Sequence, residues 1–334
     1  MELYGAMLQV RHLIDDETKI GEARRQATRL AQICGLDESA AGRIAIASTE
    51  LATNLWRHAG GGELLLQPVP HHGAYLIELL AIDRGRGMAN VERCMTDGYS
   101  TAGTAGTGLG SVRRMAVEFD IYSVAGEGTL VMARIGQDAR SLGPAAARFG
   151  AISVAVAGES ECGDSWRLAA GGDITSLLLV DGLGHGTFAA QAARCVTVAF
   201  ENGPLDAPRE VLEHAHRAAA GSRGAAAACA RISADGQLSY AGVGNIAGCL
   251  LSPEGSQGLV SHAGTLGLRV SRTHQFEYRR APQAVLIMHS DGLSARWDLK
   301  SKAGLLQRHP AIIAAMLYRD YARGRDDVTV VVLN

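Results

Sequence analysis

The chain has 334 residues, enough for two domains, and its 47% apolar and 20% charged residues exclude a disordered or fibrous protein. A formal net charge of -2 gives no electrostatic case for nucleic acid or an anionic membrane as partner. No apolar run reaches the ~20 residues that a bilayer span needs. The start MELYGAMLQVRHLIDDE lacks the basic head and long apolar core of a signal peptide.

Six scattered cysteines (34, 94, 162, 195, 229, 249) with no CxxC pair read as free, mostly buried thiols in a reducing, cytoplasmic setting. Glycine is in excess, 41 residues or ~12% against roughly 7% ordinarily, which marks tight turns and close backbone approaches.

In chain order, hydrophobic periodicity predicts helices over 18–34 and 38–58 and strands over 63–69 and 74–82. A long Gly/Ser/Thr loop follows over 84–107, then a helix over 108–118 and strands over 119–124 and 128–135. The small, polar, Pro- and Gly-bearing run GQDARSLGPAAARFG contains the expected linker, 138–148, between domains 1–137 and 149–334. The second domain opens with strands over 151–157, 165–170 and 174–180 and helices over 186–202 and 207–220. Strands over 226–233, 237–242, 246–251, 275–280 and 283–289, a helical region and the final strand DVTVVVL complete it. Short turns between strands, with helices in groups, predict an α+β fold in layers rather than a doubly wound sheet.

The second helix carries a question in ASTELATNLWRHAGGG. Ile44, Ala47, Leu51 and Leu55 form one apolar stripe, and Glu50, Asn54 and His58 follow beside it at spacings of four. An amide oxygen is a hard neutral ligand suited to Mg²⁺, and a glutamate one turn earlier is placed to orient or deprotonate a hydroxyl. On this segment alone the pattern reads first as the polar flank of an amphipathic helix, and His58 as a cap on the helix end.

Two later segments change that balance. LIELLAIDRGRGM is an apolar strand ending at Asp83, whose carboxylate suits the exocyclic amine of a purine, with Gly85 and Gly87 allowing a base to lie close. In GYSTAGTAGTGLGSVRRMA, Gly103, Gly106, Gly108 and Gly110 lead into a helix, so free amides and the positive helix end face one point, as a phosphate site requires. No GK[ST] follows and no βαβ unit surrounds it, so it is neither a Walker nor a dinucleotide loop.

The order Glu-x3-Asn, Asp-x-Gly-x-Gly, Gly-x-Gly-x-Gly resembles the N, G1 and G2 boxes of the GHKL ATPase fold. TELATNLWRHAGGG, DGYSTAGTAGTGLGSVRRM and FDIYSVAGEGT resemble, more closely, the RsbT/RsbW class of anti-sigma and switch-protein kinases. The resemblance implies a GHKL α/β sandwich, with ATP and Mg²⁺ held by Asn54 and Glu50 as catalytic base. It places Asp83, Gly85 and Gly87 at adenine, and Gly106, Thr107, Gly108, Leu109 and Gly110 at the phosphates.

The second half delivers aspartates to strand ends. GDITSLLLVDG ends a buried strand on Asp181, and APQAVLIMHSDG ends another on Asp291. Asp-Gly alone is usually a turn, as at Asp235-Gly236 in SADGQ. A carboxylate at the end of a buried strand is costly unless a cation neutralises it. CGDSW adds Asp164, and GRDDVTVVV adds Asp326 and Asp327. Carboxylates, carbonyls and waters suit Mg²⁺ or Mn²⁺, and two such ions can share a hydroxide aimed at phosphorus without a protein nucleophile.

ECGDSW, VDGLGHG, YAGVGNI, GTLGL, MHSDGL and RDDVTVVV resemble the SpoIIE/RsbX branch of metal-dependent type 2C Ser/Thr phosphatases. The resemblance implies a β-sandwich flanked by helices, with metal held by Asp164, Asp181, the Gly182 carbonyl, Asp291 and Asp326, and Asp327 secondary. Two departures stand out. The common GGDxxD start lacks its second aspartate here, and no arginine occupies the place where the eukaryotic enzymes clamp phosphate. His185 reads equally as an acid or as a packing residue.

Together the two resemblances imply a cytoplasmic partner-switching regulator that adds and removes phosphate at a protein hydroxyl. Its implied partners are STAS-domain anti-sigma antagonists or stressosome-like proteins, with a sigma factor beyond them. The alternative is a non-catalytic, nucleotide-dependent sequestering module with an attached phosphatase. A third reading makes ATP a gate on the phosphatase.

Overall fold

The computed structural model describes residues 1–5, 9–95, 108–137 and 147–334. The chain divides into two compact units, Met7–Ala145 and a second built from Met1–Ala6 with Ala146–Asn334. Residues 1–5 therefore do not belong with the first unit, as the boundary 1–137 supposed. The strand β1 (Glu2–Gly5) pairs antiparallel with the second unit, from Glu2↔Ala170 to Gly5↔Arg167. Tyr4 is 2% exposed, its ring edge-on to Phe149 at 4.9 Å. Four residues carry too little periodicity to reveal a partner so distant in sequence.

The first unit contains β2 (Val10–Ile14), α1 (Thr18–Ile33), α2 (Glu38–Ala59), β3 (Gly62–His71), β4 (Ala74–Ile82), α3 (Val91–Cys94), α4 (Gly108–Met115), β5 (Glu118–Val124) and β6 (Gly128–Gly136). Its sheet is antiparallel in the order β2-β3-β4-β6-β5. Asp37 caps α2 by accepting from the Ala40 N–H at 2.7 Å. The stripe Ile44, Ala47, Leu51 and Leu55 is buried with α1 against the sheet. Each such leucine contributes roughly 1.5–3 kcal/mol of burial.

The three glycines after α2 have separate reasons. Gly60 turns left-handed at φ 76°, and its N–H and that of Gly61 meet the Leu55 carbonyl. Backbone groups thus close the helix end where His58 was the expected cap. A Cβ on Gly62 would lie 2.6 Å from the Ile82 carbonyl oxygen and 2.7 Å from Leu55 Cδ2, so only glycine lets β3 start against α2 and β4.

The second unit continues with β7 (Phe149–Val154), β8 (Asp164–Gly171), β9 (Ile174–Gly182), α5 (Thr187–Glu201), α6 (Pro208–Ala218), β10 (Ala225–Ser233), β11 (Gln237–Val243), β12 (Ala247–Ser252), β13 (Gly255–Leu259), β14 (Phe276–Arg279), β15 (Val285–His289), α7 (Pro310–Tyr321) and β16 (Val328–Leu333). One sheet runs β1-β8-β9-β10-β11-β14 and the other β13-β12-β15-β16-β7. Phe149 of one sheet meets Trp166 of the other, their rings 5.5 Å apart. Helices α5 and α6 bury Val196, Phe200, Val211 and Leu212 with the first sheet. Helix α7 lies on β7 and β16. The fold is a β-sandwich flanked by helices. Strands β2 and β13 are short and half polar, and periodicity did not predict them.

The six cysteines are free, but only Cys229 is buried and the other five are half-buried. Among the described residues no helix is long and apolar enough to cross a membrane.

Candidate functional site

In the first unit the structure brings together three of the residues expected at a nucleotide. Glu50 and Asn54 lie one turn apart on α2, both half-buried. A Cβ on Gly108, the first residue of α4, would stand 2.8 Å from Glu50 Oε2 and 3.9 Å from Asn54 Nδ2. The first-turn N–H groups of Gly108, Leu109 and Gly110 have no acceptor within α4, so a row of donors starts beside the Glu50 carboxylate. The Leu109 side chain is buried in the core, which leaves its backbone for any ligand. Gly106 and Thr107 lie outside the described residues.

Asp83 stands just past β4, and its Oδ1 accepts from the Gly85 N–H at 2.8 Å and the Thr129 N–H at 3.0 Å. Those bonds fix the carboxylate at the strand end. The two glycines beyond it are required first by the protein itself. A Cβ on Gly85 would meet Ala59 at 2.7 Å, and Gly87, at φ 63°, presses on the Val124 carbonyl.

In the second unit the aspartates converge from both sheets. Asp164 opens β8 and Asp181 closes β9, and the two are direct cross-strand partners. Asp291 follows β15, and Asp326 and Asp327 precede β16, which pairs with β15. Burial and the facing Asp181 push the Asp164 carboxyl well above the ordinary carboxylate range. Burial, with Asp291, Asp326 and Asp327 around it, pushes Asp181 up to about 7. Among the described residues no three His, Cys, Asp or Glu side chains close into a ready ligand cluster. Carboxylates crowded together are costly, and a divalent cation removes that cost. Hard oxygen donors and excess negative charge fit Mg²⁺ or Mn²⁺.

The surrounding hydrogen bonds sort the roles. Asp327 accepts from the Val156 N–H at 2.7 Å and the Gly163 N–H at 2.6 Å, which anchors the loop entering β8. It is a brace for Asp164 rather than an open donor. Two residues without a role in the sequence reading emerge here. Ser290 donates to Asp164 Oδ2 at 2.6 Å and accepts from the Thr329 N–H at 3.0 Å. Asn245, in the β11–β12 turn, donates to Asp291 Oδ2 at 2.7 Å and counteracts the upward push on Asp181. Both stand inside quoted motifs, MHSDGL and YAGVGNI, but a hydroxyl and an amide in turns carry no signal until their carboxylate partners are in place. His185 is exposed and pairs with Glu159 through Nδ1 at 2.6 Å.

Comparison with known proteins agrees with this division. A family model for the histidine kinase-like ATPase domain matches residues 14–135, and one for stage II sporulation protein E (SpoIIE) matches residues 171–334. The chain thus joins an ATPase-type unit to a SpoIIE-type unit. Serine/threonine-protein kinase RsbT of Bacillus subtilis (strain 168) is 37% identical over 117 residues, 35% of this chain and 88% of RsbT. Phosphoserine phosphatase RsbX of the same organism is 29% identical over 148 residues, 43% of this chain and 73% of RsbX. A solved structure described as "The bacterial stressosome: a modular system that has been adapted to control secondary messenger signaling" superposes with TM-score 0.52 and 27% identity, over 56% of this chain and 98% of that one. Through its first unit, the chain belongs to the RsbT family of serine/threonine-protein kinases, and it carries an RsbX-related unit behind it.

Proposed function

We propose that the chain is a bifunctional partner-switching regulator of the cytoplasm. The first unit binds ATP with Mg²⁺ and phosphorylates a serine or threonine, and the second removes that phosphate with Mn²⁺ or Mg²⁺. Its substrates are STAS-domain antagonists or stressosome-like proteins that control a sigma factor. The observation that carries the reading is the Asp164–Asp181 pair, one carboxyl buried and one half-buried on adjacent strands, with Asp291 and Asp326 about Asp181, an arrangement that a cation stabilises.

Asp164, Asp181, Asp291, Asp326 and the Gly182 carbonyl would hold the metal. A metal bound there supplies a hydroxide at neutral pH and neutralises charge on the phosphoryl oxygens. Ser290, Asn245 and Asp327 position the carboxylates. In the first unit Asn54 holds Mg²⁺, Asp83 takes adenine with Gly85 and Gly87 beside it, and the α4 amides from Gly108 take phosphate together with Gly106 and Thr107. Glu50 accepts the proton of the attacking hydroxyl.

The test follows γ-labelled ATP with candidate STAS partners, with and without Mn²⁺. Label should pass onto the partner and leave it when Mn²⁺ is added. Binding of ATP and partner without label transfer would instead establish the sequestering module. Label release that persists in EDTA would overturn the metal-dependent phosphatase.

A further inference from the structure

Beside the aspartate centre lies a patch that the proposed chemistry does not yet use. The loop from Leu183 to Gly186 joins β9 to α5. Its far wall is the turn Ser222–Gly224 before β10, tied to it by the Leu183 N–H on the Gly224 carbonyl at 3.0 Å. Arg223 projects from that turn. A Cβ on Gly184 would stand 3.1 Å from its Nη1, and its guanidinium carbon lies 5.2 Å from the centroid of the Phe188 ring. Phe188, in the first turn of α5, is 64% exposed, and Leu183 and Leu268 are exposed as well. Leu268 adjoins the same turn, since a Cβ on Gly224 would lie 3.1 Å from its Cδ1.

Leu183 stands two residues from Asp181, so this patch begins where the strand carrying that carboxylate ends. The guanidinium sits within cation–π reach of the Phe188 ring, and among the described residues no carboxylate forms an ion pair with it. A planar, oriented guanidinium is the side chain best matched to a phosphate monoester dianion, which it grips through two parallel N–H donors. Exposed apolar side chains around a charged centre are the usual footing for a protein segment.

We propose that Arg223 grips the phosphoryl group of the substrate protein, while Leu183, Phe188 and Leu268 receive the side chains flanking its phosphorylated serine or threonine. This rests on the phosphatase reading and identifies what that site takes: an extended phosphopeptide segment with apolar flanks. It also supplies an arginine from the β10 side of the site, where the sequence showed none in the usual place.

The test uses the full chain with Mn²⁺ and two substrates, p-nitrophenyl phosphate and a phosphoserine peptide with leucine flanks. Arg223→Ala should raise KM for both by about 10-fold or more, the size of a lost charge-assisted contact. Its Mn²⁺-dependent melting shift should be unchanged. Arg223→Lys should recover part of the loss, and Leu268→Ala should raise KM for the peptide more than for p-nitrophenyl phosphate.

A second readout needs no turnover: inorganic phosphate should raise the melting temperature of the Mn²⁺-loaded wild type and not that of Arg223→Ala. Unchanged KM together with an unchanged phosphate shift in Arg223→Ala overturns the assignment and leaves the phosphatase reading standing. Absence of Mn²⁺-dependent hydrolysis in the wild type overturns the phosphatase reading, and the phosphate shift then still decides for or against Arg223.

Discussion

Ser290 donates its hydroxyl proton to Asp164 across 2.6 Å and thereby ties the end of β15 to the start of β8. The bond crosses from one sheet of the sandwich to the other. It also gives a buried carboxylate one of the few donors within reach. Ser290→Ala leaves that carboxylate short of a partner and should cost about 1–3 kcal/mol. For a unit of this size that is a loss of roughly 2–4 °C per kcal/mol. Differential scanning calorimetry checks it, and a melt within error of wild type would mean the bond adds nothing net.

Asn245 holds the Asp291 carboxylate through its amide at 2.7 Å, and it also bears on Asp181. Without it Asp291 loses the donor that orients it, and a cation must organise the carboxylate unaided. Asn245→Ala should therefore need ~10–100-fold more Mn²⁺ for the half-maximal melting shift, the usual effect of removing a residue that orients ligands. An unchanged Mn²⁺ titration would strip Asn245 of this role.

The raised carboxyls set a pH dependence. In the native state Asp181 titrates near 7 against an ordinary value of 3.8, and Asp164 is raised as well. Between those limits the folded chain binds more protons than the unfolded chain, so stability falls as pH rises. The slope is at most about 1.4 kcal/mol per pH unit for each group. In EDTA, urea unfolding of the second unit should have a lower midpoint at pH 7 than at pH 5, with a smaller difference in Asp181→Asn. Saturating Mn²⁺ should stabilise more at pH 7 than at pH 5, because ionised ligands bind it better. A midpoint that rises with pH in EDTA would be the wrong sign for this carboxylate cluster.

The first unit allows a three-way comparison. Asn54→Ala should abolish Mg-ATP binding in a folded chain. Glu50→Ala should keep ATP affinity but slow phosphoryl transfer by ~10²–10⁴-fold, as loss of a base does. Gly108→Ala places a methyl 2.8 Å from Glu50 Oε2 and should displace that carboxylate, so transfer should fall with little loss of helix stability. Calorimetric ATP binding with single-turnover transfer separates the three, and undiminished Mg-ATP affinity in Asn54→Ala removes it as the metal ligand.

The tether at the N-terminus is also testable. Tyr4 is buried against Phe149, so Tyr4→Ala should lower the stability of the second unit by about 3–5 kcal/mol, as other aromatic truncations do. Deleting residues 1–5 should expose the β8 edge and do at least as much harm. Equal melting of the deletion and the full chain would make β1 dispensable.

Much of this fold is visible in periodicity. The stripe through Ile44, Ala47, Leu51 and Leu55 predicts α2 and its buried face, and the apolar runs before Asp83, Asp181 and Asp291 predict β4, β9 and β15. These signals are local, because a helix or strand declares its buried face through residues within two turns of each other. Strand β1 has no such signal, since its partner β8 lies more than 160 residues away in the chain.

Three of the four Asp-Gly pairs mark where local chemistry stops. By sequence, Asp181-Gly182, Asp291-Gly292 and Asp235-Gly236 are the same dipeptide. Gly236 is required by its own backbone, at φ 83° in a hairpin turn where Asp235 takes the Ser233 hydroxyl and the Gln237 N–H. Gly182 and Gly292 have no such φ. A Cβ on Gly182 would strike the Ala189 carbonyl of α5, and one on Gly292 would strike the carbonyl of Asp327.

The sequence by itself determined which segments are buried and which strand ends carry aspartate, because those are properties of neighbours along the chain. Only the tertiary structure decided that Asp164 faces Asp181, that Ser290 and Asn245 brace them, and that Arg223 stands over the loop beside them. Those relationships join residues from 17 to 126 positions apart, such as Asp164 with Asp181 and with Ser290. They exist only once strand pairing and sheet packing have supplied the energy to hold like charges together.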